Sequence, residues 1–268
     1  MSFSAQWLKL REPYDLAARN PDVLEAVAQA FADRSSLGIV DLACGTGSTL
    51  RALSPHLSAR QDWRLVDNDL GLLTQAGANP VSPGVTIATA AVDLARDLEL
   101  ALDGALDLVT TSALLDLVSA DWLERLAFEA AARRLPVYAA LSYDGRAVLD
   151  PADGQDPLVV SAVNKHQKGD KGFGAALGPD AAAAAIERFA SVGYTIVQGR
   201  SDWVFGPADQ EIQQQVVTGW AEAAGEIEAS AKLDIPAWLA ARQDMIARGR
   251  SSIRIGHIDF FARPTGTR

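Results

Sequence analysis

The sequence predicts an α/β fold: a doubly wound, mostly parallel sheet of seven strands, with helical lid inserts after strands five and six. Three observations predict it. Short apolar runs at 37–43, 63–66, 85–92, 106–111 and 136–143 each end in turn or polar residues, as strands buried on both faces do. Helix-forming stretches separate these runs, and strict alternation of strand and helix is the signature of a parallel sheet with crossover helices. The chain has 268 residues, 49% of them hydrophobic, enough to fill the large core such a sheet requires.

The elements follow in order. Residues 7–17 suggest a helical segment broken at Pro13, and Pro21 opens a helix running to about residue 32. The first strand, 37–43, runs into Cys44-Gly45-Thr46-Gly47 and a helix over 48–57. The second, 63–66, is ended by Asp67-Asn68-Asp69, with a helix over 70–76 stopped by Gly77. The third strand, 85–92, is ended by Asp93; the fourth covers 106–111 and is followed by a helix over 121–134; the fifth covers 136–143. Residues 194–198 and 252–262 form strands six and seven, with helices near 209–229 and 236–248 between them. No repeat or linker splits the chain, so residues 1–268 are expected to form one domain with an N-terminal helical cap over 1–36. Two inserts, 145–178 and 203–250, leave strand ends on the side where such sheets bind ligands, and are expected to form the lid and substrate pocket.

Composition narrows the function. A formal charge of −10 repels phosphate backbones and argues against nucleic acid as a partner. The lone cysteine, Cys44, can form no intrachain disulfide, which fits a cytoplasmic location. No basic-then-apolar leader opens the sequence, and no run approaches the ~20 apolar residues of a membrane span. Neither paired cysteines nor a metalloprotease or nucleophile-elbow motif occurs, so no metal is expected.

The chemistry concentrates where strands end. Gly45 and Gly47 let backbone approach a ligand closely, and Asp41 can anchor that loop by accepting backbone N–H groups. A dinucleotide fingerprint would need a third glycine where Leu50 stands. Asp67 can accept hydrogen bonds from the two hydroxyls of a ribose, and Asp69 reads as a helix N-cap. Ala91-Val92-Asp93-Leu94 follows the third strand, and Thr110-Thr111-Ser112 through Asp116 follows the fourth.

The ordered set Asp41-x-Ala43-x-Gly45-x-Gly47, Asp67, Asp93-Leu94 and Thr111-Ser112 resembles the motifs of class I (Rossmann-like) S-adenosylmethionine (SAM)-dependent methyltransferases. It covers roughly residues 38–143 and thins beyond. The resemblance implies a seventh strand running antiparallel, and SAM as cofactor. It implies that the glycine loop cradles the amino-acid end of SAM, that Asp67 with its neighbour Asn68 meets the ribose, and that Asp93 and Leu94 meet the adenine. Thr111 and Ser112 would border the cofactor, and Asp116 would face the substrate. Arg11 or Arg19 could pair with the cofactor carboxylate.

Methyl transfer chiefly needs alignment of nucleophile, methyl and sulfur, with a base only where the nucleophile must lose a proton. His166, in a basic glycine-rich stretch, is the first base candidate, with a solvated surface loop as the alternative reading. Asp116 and Tyr143 are further catalytic candidates. His257 reads as structural, Cys44 as small packing, and Trp203, Trp220 and Trp238 as pocket walls or core. The expected activity is methyl transfer to an oxygen or nitrogen of a small molecule. The rivals are a non-catalytic SAM-binding module and an NAD-dependent oxidoreductase.

Overall fold

The computed structural model describes residues 4–57, 60–78, 82–227 and 233–266. Its sheet contains β1 (Ser36–Leu42), β2 (Arg60–Asp67), β3 (Val85–Ala91), β4 (Leu108–Ser112), β5 (Val137–Asp150), β6 (Tyr194–Arg200), β7 (Trp203–Phe205) and β8 (Ser252–Pro264). The order is β3-β2-β1-β4-β5-β8-β6, with β7 pairing β8 beyond the end of β6. β1 to β5 pair in parallel, and β8 runs antiparallel to β5, β6 and β7. This is the topology of a Rossmann-like methyltransferase fold.

The central strands are apolar on both faces because helices cover both. Val40, Leu42, Val109 and Val137 pack on one side with α5 (Leu98–Ala101), α6 (Ala120–Arg133) and α8 (Ala181–Ser191). Leu37, Ile39, Trp63, Leu65 and Leu108 pack on the other with α2 (Pro21–Ala30), α3 (Ser48–Leu53) and α4 (Leu70–Gly77). Successive residues thus feed opposite cores, the period-two signature of a strand. A third core joins α1 (Ala5–Ala18), α7 (Asp156–Gln167), α9 (Gln210–Glu226) and α10 (Ile235–Ala247) to the far end of β5, to β7 and to β8.

Several expectations need correction. Among the described residues a short eighth strand joins the seven expected: β7 is only three residues long, and its Trp203 and Phe205 bury into the third core. β5 does not stop near residue 143 but continues to Asp150, so the first insert begins as strand and then becomes α7. Pro13 does not break α1, although proline removes a helical N–H at a typical cost of about 3 kcal/mol. Tertiary contacts override that cost: Tyr14 donates to Asp209 Oδ1 at 2.7 Å and stacks edge-on against Phe205. The helix expected over 48–57 ends at Leu53 and tightens into a 3₁₀ turn, Ser54–His56, at Pro55. Residues 228 and 229 of the expected 209–229 helix lie outside the described residues, as do residues 1–3 of the cap and 228–232 of the second insert. No helix among the described residues is long and apolar enough to cross a membrane.

Candidate functional site

The carboxyl ends of β1, β2 and β4 open into a cleft that α1 covers from above. Its walls include Ala43, Gly45, Asp67, Asn68, Asp93, Leu94, Ser112 and Arg11, eight of the residues singled out from sequence. The glycine loop turns through three left-handed residues, Ala43, Gly45 and Gly47, with φ of 53°, 54° and 84°. A Cβ at Gly45 would stand 3.1 Å from Leu8 Cδ1, so the loop passes close under α1, and its φ of 54° favours glycine. Arg51 holds loop and helix together: it donates to the Thr46 carbonyl at 2.7 Å and forms a two-pronged pair with Glu12 of α1.

Asp67 ties the first two loops to each other. Its Oδ2 accepts from Gly45 N at 2.9 Å and its Oδ1 from Asp69 N at 3.0 Å. Asp69 in turn caps α4, as expected. A carboxylate oxygen has two acceptor sites, so each oxygen of Asp67 keeps one for a vicinal diol. Leu72, Val92, Leu94 and Leu114 supply apolar walls between the polar glycine loop and the exposed Asp93 carboxylate. A ligand with polar ends and a flat apolar centre suits this lining. Adenosine bearing an amino-acid tail is such a ligand, so the residues present fit SAM.

Four residues expected at the cofactor are placed elsewhere. Asp41 is fully buried behind the cleft; it accepts from the Thr110 hydroxyl at 2.8 Å and not from the loop backbone, and burial pushes its carboxyl up to about 7. Thr111 is also buried, its hydroxyl donating to the Leu42 carbonyl at 3.0 Å and stitching β4 to β1. Gly47 shapes the turn from beneath without lining the cleft. Arg19 is buried outside the lining too and donates to Ser112 Oγ at 3.1 Å. Arg11 does line the cleft, paired with Asp15 at 2.9 Å and lying over the Trp203 ring at 5.0 Å.

A second cavity, about 510 Å³, adjoins the first. The two share Arg11, Ala113, Leu117 and Lys171 as a common wall. All three catalytic candidates, Asp116, Tyr143 and His166, border the second cavity. His166 belongs to the last turn of α7 rather than to a loop, and both ring nitrogens are engaged, Nε2 with Glu226 at 3.0 Å and Nδ1 with Lys171 Nζ at 3.3 Å. The Tyr143 hydroxyl donates to Asn164 Oδ1 at 2.7 Å, and burial raises its pKa. Asp116 is buried, its Oδ1 without a hydrogen-bond partner, and desolvation pushes its carboxyl up to about 6 against the pull of backbone N–H groups and Arg11.

The cavity also contains residues that sequence reasoning passed over. His257, expected to be structural, stands on its wall, 4.8 Å from the Trp203 ring. Burial and the nearby Arg11 hold its pKa down to about 3, so the imidazole is neutral. Lys171 borders both cavities, its pKa lowered by burial. Trp7 joins Trp203 and Trp220 on the second cavity's wall, whereas Trp238 is core and donates to Asp156 Oδ1 at 2.9 Å. Cys44 is buried against the cleft, and burial raises its thiol pKa.

The sequence matches no protein-family profile and no curated protein. Solved structures do match. A cyclopropane-fatty-acyl-phospholipid synthase-like protein from Lactobacillus casei superposes with a TM-score of 0.53 at 15% identity, over 98% of this chain and 94% of that one. The cyclopropane synthase MmaA2 from Mycobacterium tuberculosis gives 0.51 at 11%, over 97% and 94%. At such identities the likeness establishes the fold, and function has to be argued from the site.

Proposed function

We propose that this chain transfers a methyl group from SAM to an oxygen or nitrogen of a small molecule. The observation that carries the reading is the shared wall. A cleft suited to an adenosine with an amino-acid tail opens, at the end of β4, beside a second cavity of small-molecule size. That adjacency favours transfer over a binding-only module. The dinucleotide reading is disfavoured at Leu50, whose side chain fills the core between α3 and the sheet where a glycine would be needed.

The residues divide the work by position. Asp67 meets the ribose, with Asn68 beside it; Asp93 and Leu94 hold the adenine; Ala43 and Gly45 give the tail a close backbone surface; and Arg11 faces the tail carboxylate. Ser112, held by Arg19, borders the reacting end. Bound SAM supplies an activated methyl on a positive sulfur. The protein's own contribution is alignment and exclusion of water. Leu8 from α1 and Phe173 beside Lys171 cover the cleft.

Calorimetric titration with SAM, S-adenosylhomocysteine and NAD tests the reading. Binding of the first two and not of NAD is expected, with Asp67→Ala weakening SAM at least tenfold. NAD binding alone, or an unchanged Asp67→Ala variant, would overturn it.

A further inference from the structure

We infer that the methyl acceptor is an aromatic hydroxyl, a phenol-type ring packed between Trp7 and Trp220 whose O–H is held and deprotonated by Asp116. The inference rests on the methyltransferase reading and gives that reaction its substrate class.

The ring comes from the walls. Trp7 and Trp203 meet edge to face, centroids 6.4 Å apart, and Trp220 borders the same cavity from α9. Tyr143 and His257 add a second edge-on pair at 6.1 Å. Trp203 is itself covered by Arg11, so Trp7 and Trp220 supply the aromatic surface left for a flat guest, where ring–ring geometry adds to what apolar burial alone contributes. Leu141, Val163 and Ile255 add apolar surface to the same wall.

The hydroxyl comes from Asp116. A buried carboxylate oxygen without a donor is costly, and the cavity it borders is where a donor can be supplied. The three titratable candidates differ here. Both nitrogens of His166 are occupied and the Tyr143 proton is spent on Asn164, whereas Asp116 Oδ1 is buried with no donor. Asp116 follows Ala113 in the loop after β4, next to the wall common to both cavities, where acceptor and methyl must meet.

The choice of a hydroxyl over an alkylamine comes from charge. Lys171 stands in that wall, whereas Arg11 is already paired with Asp15. A cation there repels an alkylammonium ion and stabilises the negative charge that grows on a phenol oxygen as its proton leaves. In the step, the phenol O–H bond breaks and its proton passes to Asp116. The oxygen forms a bond to the methyl carbon as the carbon–sulfur bond breaks, leaving a methyl aryl ether and neutral S-adenosylhomocysteine. Asp116 then releases the proton to water.

The test uses the whole protein and 2-naphthol, 2-methoxynaphthalene and naphthylmethylamine as probes, read by quenching of tryptophan fluorescence without SAM. Naphthol is expected to bind at least tenfold more tightly than either of the others. Asp116→Ala, which removes the acceptor, should erase its advantage over the methyl ether. Trp220→Ala, at a half-buried position, should weaken naphthol at least fivefold whether or not Asp116→Ala folds. Equal binding of naphthol and its ether, tighter binding of the amine, or failure of naphthol to bind would overturn the inference. Naphthol selectivity without SAM binding would uphold the acceptor site and sink the methyltransferase reading; SAM binding without naphthol selectivity would do the reverse.

Discussion

Ala43 adopts a φ of 53°, a left-handed conformation that costs a Cβ-bearing residue roughly 1–2 kcal/mol. It ends the central strand and turns the chain into the cleft, so the strain sits where the loop must approach a ligand. Ala43→Gly should therefore raise stability by about 0.5–1 kcal/mol after the added freedom of the unfolded chain is counted, read as a higher denaturant midpoint. Asp41 makes a different prediction. Its carboxyl, fully desolvated with Thr110 and Thr49 as hydrogen-bonding neighbours and Arg19 and Asp67 nearby, titrates at about 7 in the folded chain. An unfolded aspartate titrates near about 4, so the folded state holds the proton more tightly. The associated stability is complete below that lower pH and is lost as pH rises through the upper one. Asp41→Asn, which keeps an acceptor for Thr110, should flatten this decline, so thermal midpoints of variant and parent should diverge between pH 5 and pH 8 in favour of the variant. A residue's place in the cleft was legible where it ends a strand, as with Gly45, Asp67 and Asp93. They were not legible for Asp41 or Thr111, because whether such a residue faces the loop or a neighbouring strand depends on sheet order, which the local sequence does not carry. That His257 also borders a cavity was hidden for the same reason: the wall is completed by α1 and β7, both remote in the chain.

Arg51 ties helix α1 to the glycine loop, reaching Glu12 and the Thr46 carbonyl from α3. Both partners of that ion pair are partly shielded, with side-chain exposures of 25% and 20%, so the link should outlast ordinary salt. Arg51→Ala should loosen the helix from the glycine loop and raise the dissociation constant for SAM several-fold, with far-ultraviolet circular dichroism unchanged; equal affinity would show that α1 is held by its aromatic contacts alone. The elements easiest to anticipate were those with a continuous apolar run and a sharp stop, β1, β2 and β4. β7 escaped because three residues carry no period. The far half of β5 escaped because Asp144-Gly145-Arg146 reads as a turn, whereas in the sheet those residues span a register shift against β8. Pro13 misled because intrinsic helix preference is weaker than the contacts Trp7 and Tyr14 make.

Across the whole molecule, three cores divide the labour. Two fasten helices to the central sheet, and the third builds the second cavity from α1, α7, α9, α10 and the outer reach of β5, β7 and β8. The third is fed by surface segments around a cavity and has fewer fully packed strands beneath it. Native-state hydrogen exchange should show α7 and α9 opening at lower free energy than β1, β2 and β4. Uniform protection would mean that the cavity walls and the central sheet open as one unit.

β8 is synthesised after every other strand, yet it lies between β5 and β6 and also carries β7. Its fully buried Asp259 accepts from Leu141 N at 2.7 Å and from Asn20 N at 3.0 Å, joining the kinked middle of β5 to the start of α2. During translation, then, the ribosome holds back the piece that closes the structure. β6 and β7 wait without a neighbour to pair with, and the nascent chain cannot complete its second cavity until β8 has left the exit tunnel.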